Sequence, residues 1–229
     1  MKARLSLLLA AAFALSACQK ADDPVSRGQA YFDYIGCAKC HRIGEKGGGV
    51  YGPDLTTIGF RKSGEWLHLW LKDPHKWRKE TVMPAFNLPD DVRGDIVAYL
   101  LEQKGQAWGD KRPWNEAGLA DDPIKRGEVL FNRAGCVACH AEKGRGGYPN
   151  NNVAANQIPA LTKVASGYTK EELKNRIAGG LTPIPADPKA PAPMIQMPRW
   201  GELLNDDELE AVAAYLMSLG SGKKEEEAF

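Results

Sequence analysis

Two pentapeptides carry side chains whose types and spacing can do chemistry: Cys37-Ala38-Lys39-Cys40-His41 and Cys136-Val137-Ala138-Cys139-His140. In Cys-x-x-Cys-His the two thiols can reach both vinyl groups of one porphyrin and form thioethers. The adjacent imidazole then faces the iron as its proximal ligand. The spacing predicts two covalently bound c-type haems, held by Cys37, Cys40, Cys136 and Cys139, with His41 and His140 on the irons. A thioredoxin-like redox pair needs a βαβ context, which is missing. Zinc or two disulfides would leave the histidine after each pair unexplained.

The ligand on the other face of each iron sets its chemistry. Methionine sulfur is soft and favours ferrous iron, so His/Met haems sit at higher potential than bis-His haems. Met83 lies 42 residues beyond His41 and Met197 lies 57 beyond His140, each followed by a proline. These are the expected distal ligands. Met194 competes with Met197, but only Met197 reproduces the Met-Pro pair. His68 and His75 offer a bis-His alternative for the first haem, for which the second half has no equivalent. Met217 falls inside a helical pattern and reads as core.

The elements that must position these residues occur twice. Arg27-Gly28-Gln29-Ala30-Tyr31-Phe32 precedes the first motif and Arg126-Gly127-Glu128-Val129-Leu130-Phe131 the second, at an offset of 99. Beyond the methionines, Leu88, Asp90, Asp91, Ala98, Tyr99 and Leu100 echo Leu204, Asp206, Asp207, Ala214, Tyr215 and Leu216 at an offset of 116. The order is the same and the offset grows only where loops lengthen, which identifies an internal duplication.

Each copy reads as an opening helix (27–35, capped by Ser26; 124–134, capped by Asp122), a Gly-rich loop, a middle helix (63–71; 169–178) and a closing helix (90–103, capped by Asp90; 206–219, capped by Asn205 or Asp206). Trp66, Leu67, Trp70 and Leu71 form one apolar face of the first middle helix. Strand signals are sparse. A mainly α protein follows, in which a few helices and long loops wrap each haem. Units this small have limited core of their own, and the porphyrin supplies the body to pack on.

The first 17 residues read as an export signal: Lys2 and Arg4, then an apolar run from Leu5 to Leu15 too short to span a bilayer. Leu15-Ser16-Ala17-Cys18 resembles a bacterial lipobox, which makes Cys18 a candidate lipid anchor to a membrane. The expected organisation is a signal over 1–17, a tether over 18–25, a first domain over 26–104, a linker over 105–121, a second domain over 122–220 and a charged tail over 221–229. Beyond the signal, 28 basic residues against 29 acidic ones give −1, so no basic field invites nucleic acid.

With these residues in place, the chain resembles a tandem dihaem member of the class I cytochrome c family from residue 26 to residue 219. That resemblance implies a first and last helix crossing through Gly28, Phe32 and Tyr99, and again through Gly127, Phe131 and Tyr215. It implies a proline carbonyl on each proximal imidazole N–H, from Pro53 and from Pro159, whose loop is longer. The second copy departs from the family pattern by a proline-rich stretch over 182–193.

The implied function is one-electron transfer by an exported, periplasmic or extracytoplasmic, lipid-anchored carrier rather than an enzyme. Its partners would be a quinol-oxidising complex, dehydrogenase, terminal oxidase or reductase. The alternatives are a dihaem cytochrome c peroxidase, against which the Met-Pro after both motifs argues, and a haem-bearing docking subunit of a larger oxidoreductase.

Overall fold

The computed structural model describes residues 23–49 and 51–220; the signal, Cys18 and the charged tail lie outside the described residues. Helix α1 (Pro24–Ile35) starts at Asp23, whose carboxylate accepts the Ser26 N–H at 3.0 Å. The cap is therefore Asp23 rather than Ser26, because Pro24 presets the first turn and lets the helix begin earlier. Gly36 ends it at φ 84°, its N–H closing on the Asp33 and Phe32 carbonyls. A left-handed residue suits glycine, and it turns the chain directly into the first Cys-x-x-Cys-His.

A two-residue hairpin, β1 (Arg42–Ile43) antiparallel to β2 (Lys46–Gly47), follows. Then come α2 (Ile58–Arg61), α3 (Gly64–Lys72), α4 (Pro74–Trp77) and α5 (Asp90–Leu101). Ser63 caps α3 by accepting the Trp66 N–H, and its Trp66, Leu67 and Leu71 are buried. Asp90 is not the cap of α5. Pro89 holds that position, and Asp90 in the first turn pairs with Arg93 at 2.6 Å.

The second copy repeats the plan with α6 (Pro123–Arg133), α7 (Val137–His140), α8 (Lys170–Gly179) and α9 (Asp206–Leu219). Asp122 caps α6, while Thr169–Glu172 and Asn205–Glu208 form capping boxes at α8 and α9. In both copies the opening helix crosses the closing helix at a glycine. A Cβ at Gly28 would overlap the Asp95 carbonyl, and one at Gly127 the Ala211 carbonyl. Beside each crossing an aromatic pair packs at the same 5.5 Å: Phe32 with Tyr99, and Phe131 with Tyr215.

Residues 105–121 form short 3-10 turns that pack on the second copy. Trp108 and Trp114 are buried in its core. Glu208, fully buried at the start of α9, accepts from Arg112 and from Trp114 Nε1, each at 2.6 Å. A buried carboxylate held by an ion pair and a ring N–H fixes this segment.

The two copies also pack on each other. Asp54 and Arg133, both largely buried, pair at 2.9 Å, and Arg133 reaches the Gly44 carbonyl at 3.0 Å. The Thr57 hydroxyl donates to the Ala134 carbonyl at 2.6 Å. Apolar groups are exchanged as well. Ile158 and Ile195 join the core of the first copy, while Phe60 packs in that of the second, edge-on to Trp200 at 5.4 Å.

Two stability tests follow. Gly127→Val must push α6 away from α9 and should cost about 2 kcal/mol, read as a lower thermal midpoint. Arg133→Ala strips Asp54 of its ion pair at the junction and should cost about 3 kcal/mol. Chemical denaturation would read that cost, with Arg133→Lys falling between.

Candidate functional site

The helix crossing explains how residues far apart in sequence face one another. In each copy the opening helix leads straight into Cys-x-x-Cys-His, and the methionine segment leads straight into the closing helix. Pinning those two helices together therefore holds the motif segment and the methionine segment to one frame.

In the first copy the motif is tied down by the loop that follows it. Gly48 N–H donates to the Ala38 carbonyl at 2.8 Å and Gly52 N–H to the Cys40 carbonyl at 3.1 Å. His41 Nδ1 lies 2.9 Å from the Pro53 carbonyl, so the ring is orientated through Nδ1 and Nε2 is left for a metal. Gly52 lies against the ring, leaving no room there for a Cβ. Burial lowers the His41 pKa, with the Pro53 hydrogen bond opposing. Met83, Cys37 and Ala38 pack around the same apolar cluster. The Met83 sulfur accepts from Trp70 Nε1 at 2.9 Å. His68 lies part-exposed on α3 and His75 is exposed on α4.

In the second copy burial pushes the His140 pKa down to about 4. The imidazole is thereby held neutral, the form that binds metals. The Pro159 carbonyl opposes the shift, yet Nδ1 makes no hydrogen bond of full geometry. Met194 and Met197 both line a cavity of about 670 Å³. They differ in what they pack on: Met197 joins the core of the second copy, Met194 that of the first. Met197 is also paired through its backbone with Leu181, at 2.9 and 3.0 Å.

One wall of this cavity comes from the first copy, as Phe60, Arg61, Lys62 and Ser63. Arg61 and Lys62 are buried, and Arg61 Nη1 and Lys62 Nζ have no oxygen or nitrogen partner among the described residues. Arg61 is held through its other nitrogens by Thr57 and the Asp54 carbonyl, each at 2.8 Å, and its guanidinium lies against Gly135. Lys62 sits over the Trp66 ring at 4.2 Å. Burial lowers the pKa of both, opposed by the Asp54 carboxylate at Arg61 and by the Cys139 thiol at Lys62. Beside a cavity lined by Met194 and Met197 the two cations suit a group that carries carboxylates, as a haem does. The four described motif cysteines are free thiols. Thiols free to form thioethers, two methionine sulfurs and two buried cations are compatible with the carboxylate-bearing cofactor that the motifs call for.

The cytochrome c family model matches residues 25–104 and again 124–220. The chain belongs to the cytochrome c family. It is mainly helical, carries the family domain twice and reads as an electron-transfer c-type cytochrome, a family that implies covalently bound haem c. A cytochrome c oxidase subunit 2 from Alkalihalophilus pseudofirmus is 28% identical over 88 residues, covering 34% of this chain and 25% of that protein. A cbb3-type cytochrome c oxidase subunit CcoP from Helicobacter pylori is 26% identical over 158 residues, covering 68% of this chain and 49% of that protein. The chain thus spans half or less of the length of these curated relatives. No solved structure gives a significant match.

Sequence reasoning missed the wall that this cytochrome borrows across its own duplication. Phe60 to Lys62 carry no spacing signal, since their role depends on how the copies dock. It also passed over Asn150, Asn151 and Asn152, a run that stands out by composition alone.

Proposed function

We propose that the chain is a dihaem electron carrier of a respiratory chain, tethered to a membrane through Cys18 and delivering electrons to a terminal oxidase. The observation that carries this reading is the repetition: each Cys-x-x-Cys-His is followed along the chain by a Met-Pro pair just before the closing helix, inside a family domain that occurs twice. Cys37 and Cys40 hold one haem and Cys136 and Cys139 the other. His41 and His140 are the proximal ligands, orientated by Pro53 and, less tightly, by Pro159. Met83 and Met197 close the opposite faces, and the packing of Met197 within its own copy favours it over Met194. The haem supplies a reversible one-electron ferric–ferrous couple. With both axial positions filled by side chains, neither site offers substrate a place to bind.

The domains run over 26–104 and 122–220, joined by the linker at 105–121. An oxidase as partner is supported by the two oxidase subunits among the relatives. The chain would then serve as such a subunit or as the carrier that feeds one. No described helix is long and apolar enough to cross a membrane. The tether therefore rests on Cys18 and the lipobox-like residues before it, in an extracytoplasmic setting.

Two experiments test this. Intact mass of the exported protein should show two added haems, and a redox titration should resolve two methionine-ligated centres. Met83→Ala and Met197→Ala should each shift one centre by at least about 59 mV, a tenfold change in its redox equilibrium. Unchanged potentials in both would refute the axial assignments, and peroxide turnover by the wild-type chain would favour a peroxidase. Separately, Cys18→Ser should move the protein from the membrane to the soluble fraction. Retention in the membrane would refute the lipid tether.

A further inference from the structure

The proline-rich insertion before Met197 poses a physical problem. Residues 183, 185, 188, 191 and 193 are prolines, and proline has no N–H to give. The stretch therefore has few N–H groups with which to tie itself down, Ala190 to the Asp187 carbonyl at 3.2 Å and Ala186 to that of Asn152 at 2.9 Å, yet it leads to the sulfur that the second iron needs.

Three consecutive asparagines from the loop on the opposite side supply the missing bonds. Asn150, 4% exposed, holds Ile195 from both sides: its amide donates to the Ile195 carbonyl at 2.9 Å and accepts the Ile195 N–H at 3.1 Å. Asn151 donates to the Ala192 carbonyl at 2.9 Å and accepts the Met194 N–H at 2.8 Å. Asn152 accepts the Asp187 N–H at 2.8 Å and donates to the carbonyls of Asp187 and Pro191, each at 2.9 Å. A side-chain amide carries one donor group and one acceptor, as a peptide does. Here it takes the place of a neighbouring strand. Asn152 also adopts φ 50°, a conformation that asparagine tolerates better than most residues.

We propose that Asn150, Asn151 and Asn152 are positioning residues that seat the Met197 sulfur at the second haem. This rests on the axial reading given above. Met197 lies between two fixed points: Ile195, gripped by Asn150, and Leu181, which pairs with the Met197 backbone. The asparagines belong to the loop that follows His140. The clamp therefore ties the loop that follows His140 to the segment that carries Met197. The first copy has no such insertion, and its Met83 N–H donates to the Thr81 hydroxyl at 3.3 Å.

The test uses the full holoprotein. Asn150→Ala should retain two haems by intact mass. It should lose the methionine-to-ferric-iron charge-transfer absorption of one iron of the two and bind imidazole there at least tenfold tighter. The second midpoint should fall by a tenfold change in equilibrium, about 59 mV, with the first unmoved. Asn152→Ala, whose bonds are more exposed, should tighten imidazole binding at least threefold.

An Asn150→Ala protein that merely melts earlier, with ligation and potential unchanged, overturns the proposal. If Asn150→Ala fails to accumulate, wild-type imidazole affinity in Asn152→Ala overturns it instead. Met197→Ala separates the two layers. Should it keep both methionine signals, the axial reading itself falls; should it lose one beside an unaltered Asn150→Ala, the clamp alone falls.

Discussion

The contact between the opening and closing helices is the constraint on which each copy depends. At Gly28 and Gly127 one backbone rests on another, close enough that a single methyl group would collide with a carbonyl. Aromatic pairs of matching separation lock each crossing beside the glycine. Since the Cys-x-x-Cys-His motif follows one of these helices and the Met-Pro segment precedes the other, the crossing fixes the frame from which both segments extend. Between them lie a middle helix and shorter turns joined by loops, and it is the loops that lengthen in the second copy.

A different principle joins the copies. Their junction combines a buried ion pair, a hydroxyl-to-carbonyl bond and an exchange of apolar residues. Ion pairs of this kind add little net stability compared with apolar packing, but they penalise misalignment heavily. The apolar exchange supplies the attraction, and the charged and hydroxyl contacts select one relative placement. That placement sets Arg61 and Lys62 beside the second cavity, where their cationic ends meet a site rather than solvent.

Much of this was legible in the residues. The duplication, the helices and their order all follow from periodicity, caps and repeated pairs such as Gly28/Phe32 and Gly127/Phe131. The helix starts were legible except where a competing cap intervened. Ser26 lost to Asp23 because Pro24 makes the earlier start favourable, and Asp90 lost to Pro89 because its carboxylate is engaged by Arg93. What stayed hidden depends on separation in sequence. Asp54 meets Arg133 across 79 positions and Asn150 meets Ile195 across 45. No local pattern encodes such pairs, since they exist only once two folded surfaces touch. The packing of Met194 and Met197 has the same character: three positions apart in sequence, they divide between two cores.

The wall contributed by Phe60 to Ser63 has a consequence for modularity. Severed from residues 1–104, the second copy would open its cavity to water along that side and expose Ile158 and Ile195, which now lie in the neighbouring core. The duplicated units are thus no longer interchangeable cassettes. Swapping either one for a relative, or trimming the chain to a minimal single-haem fragment, would remove part of the partner's own interior.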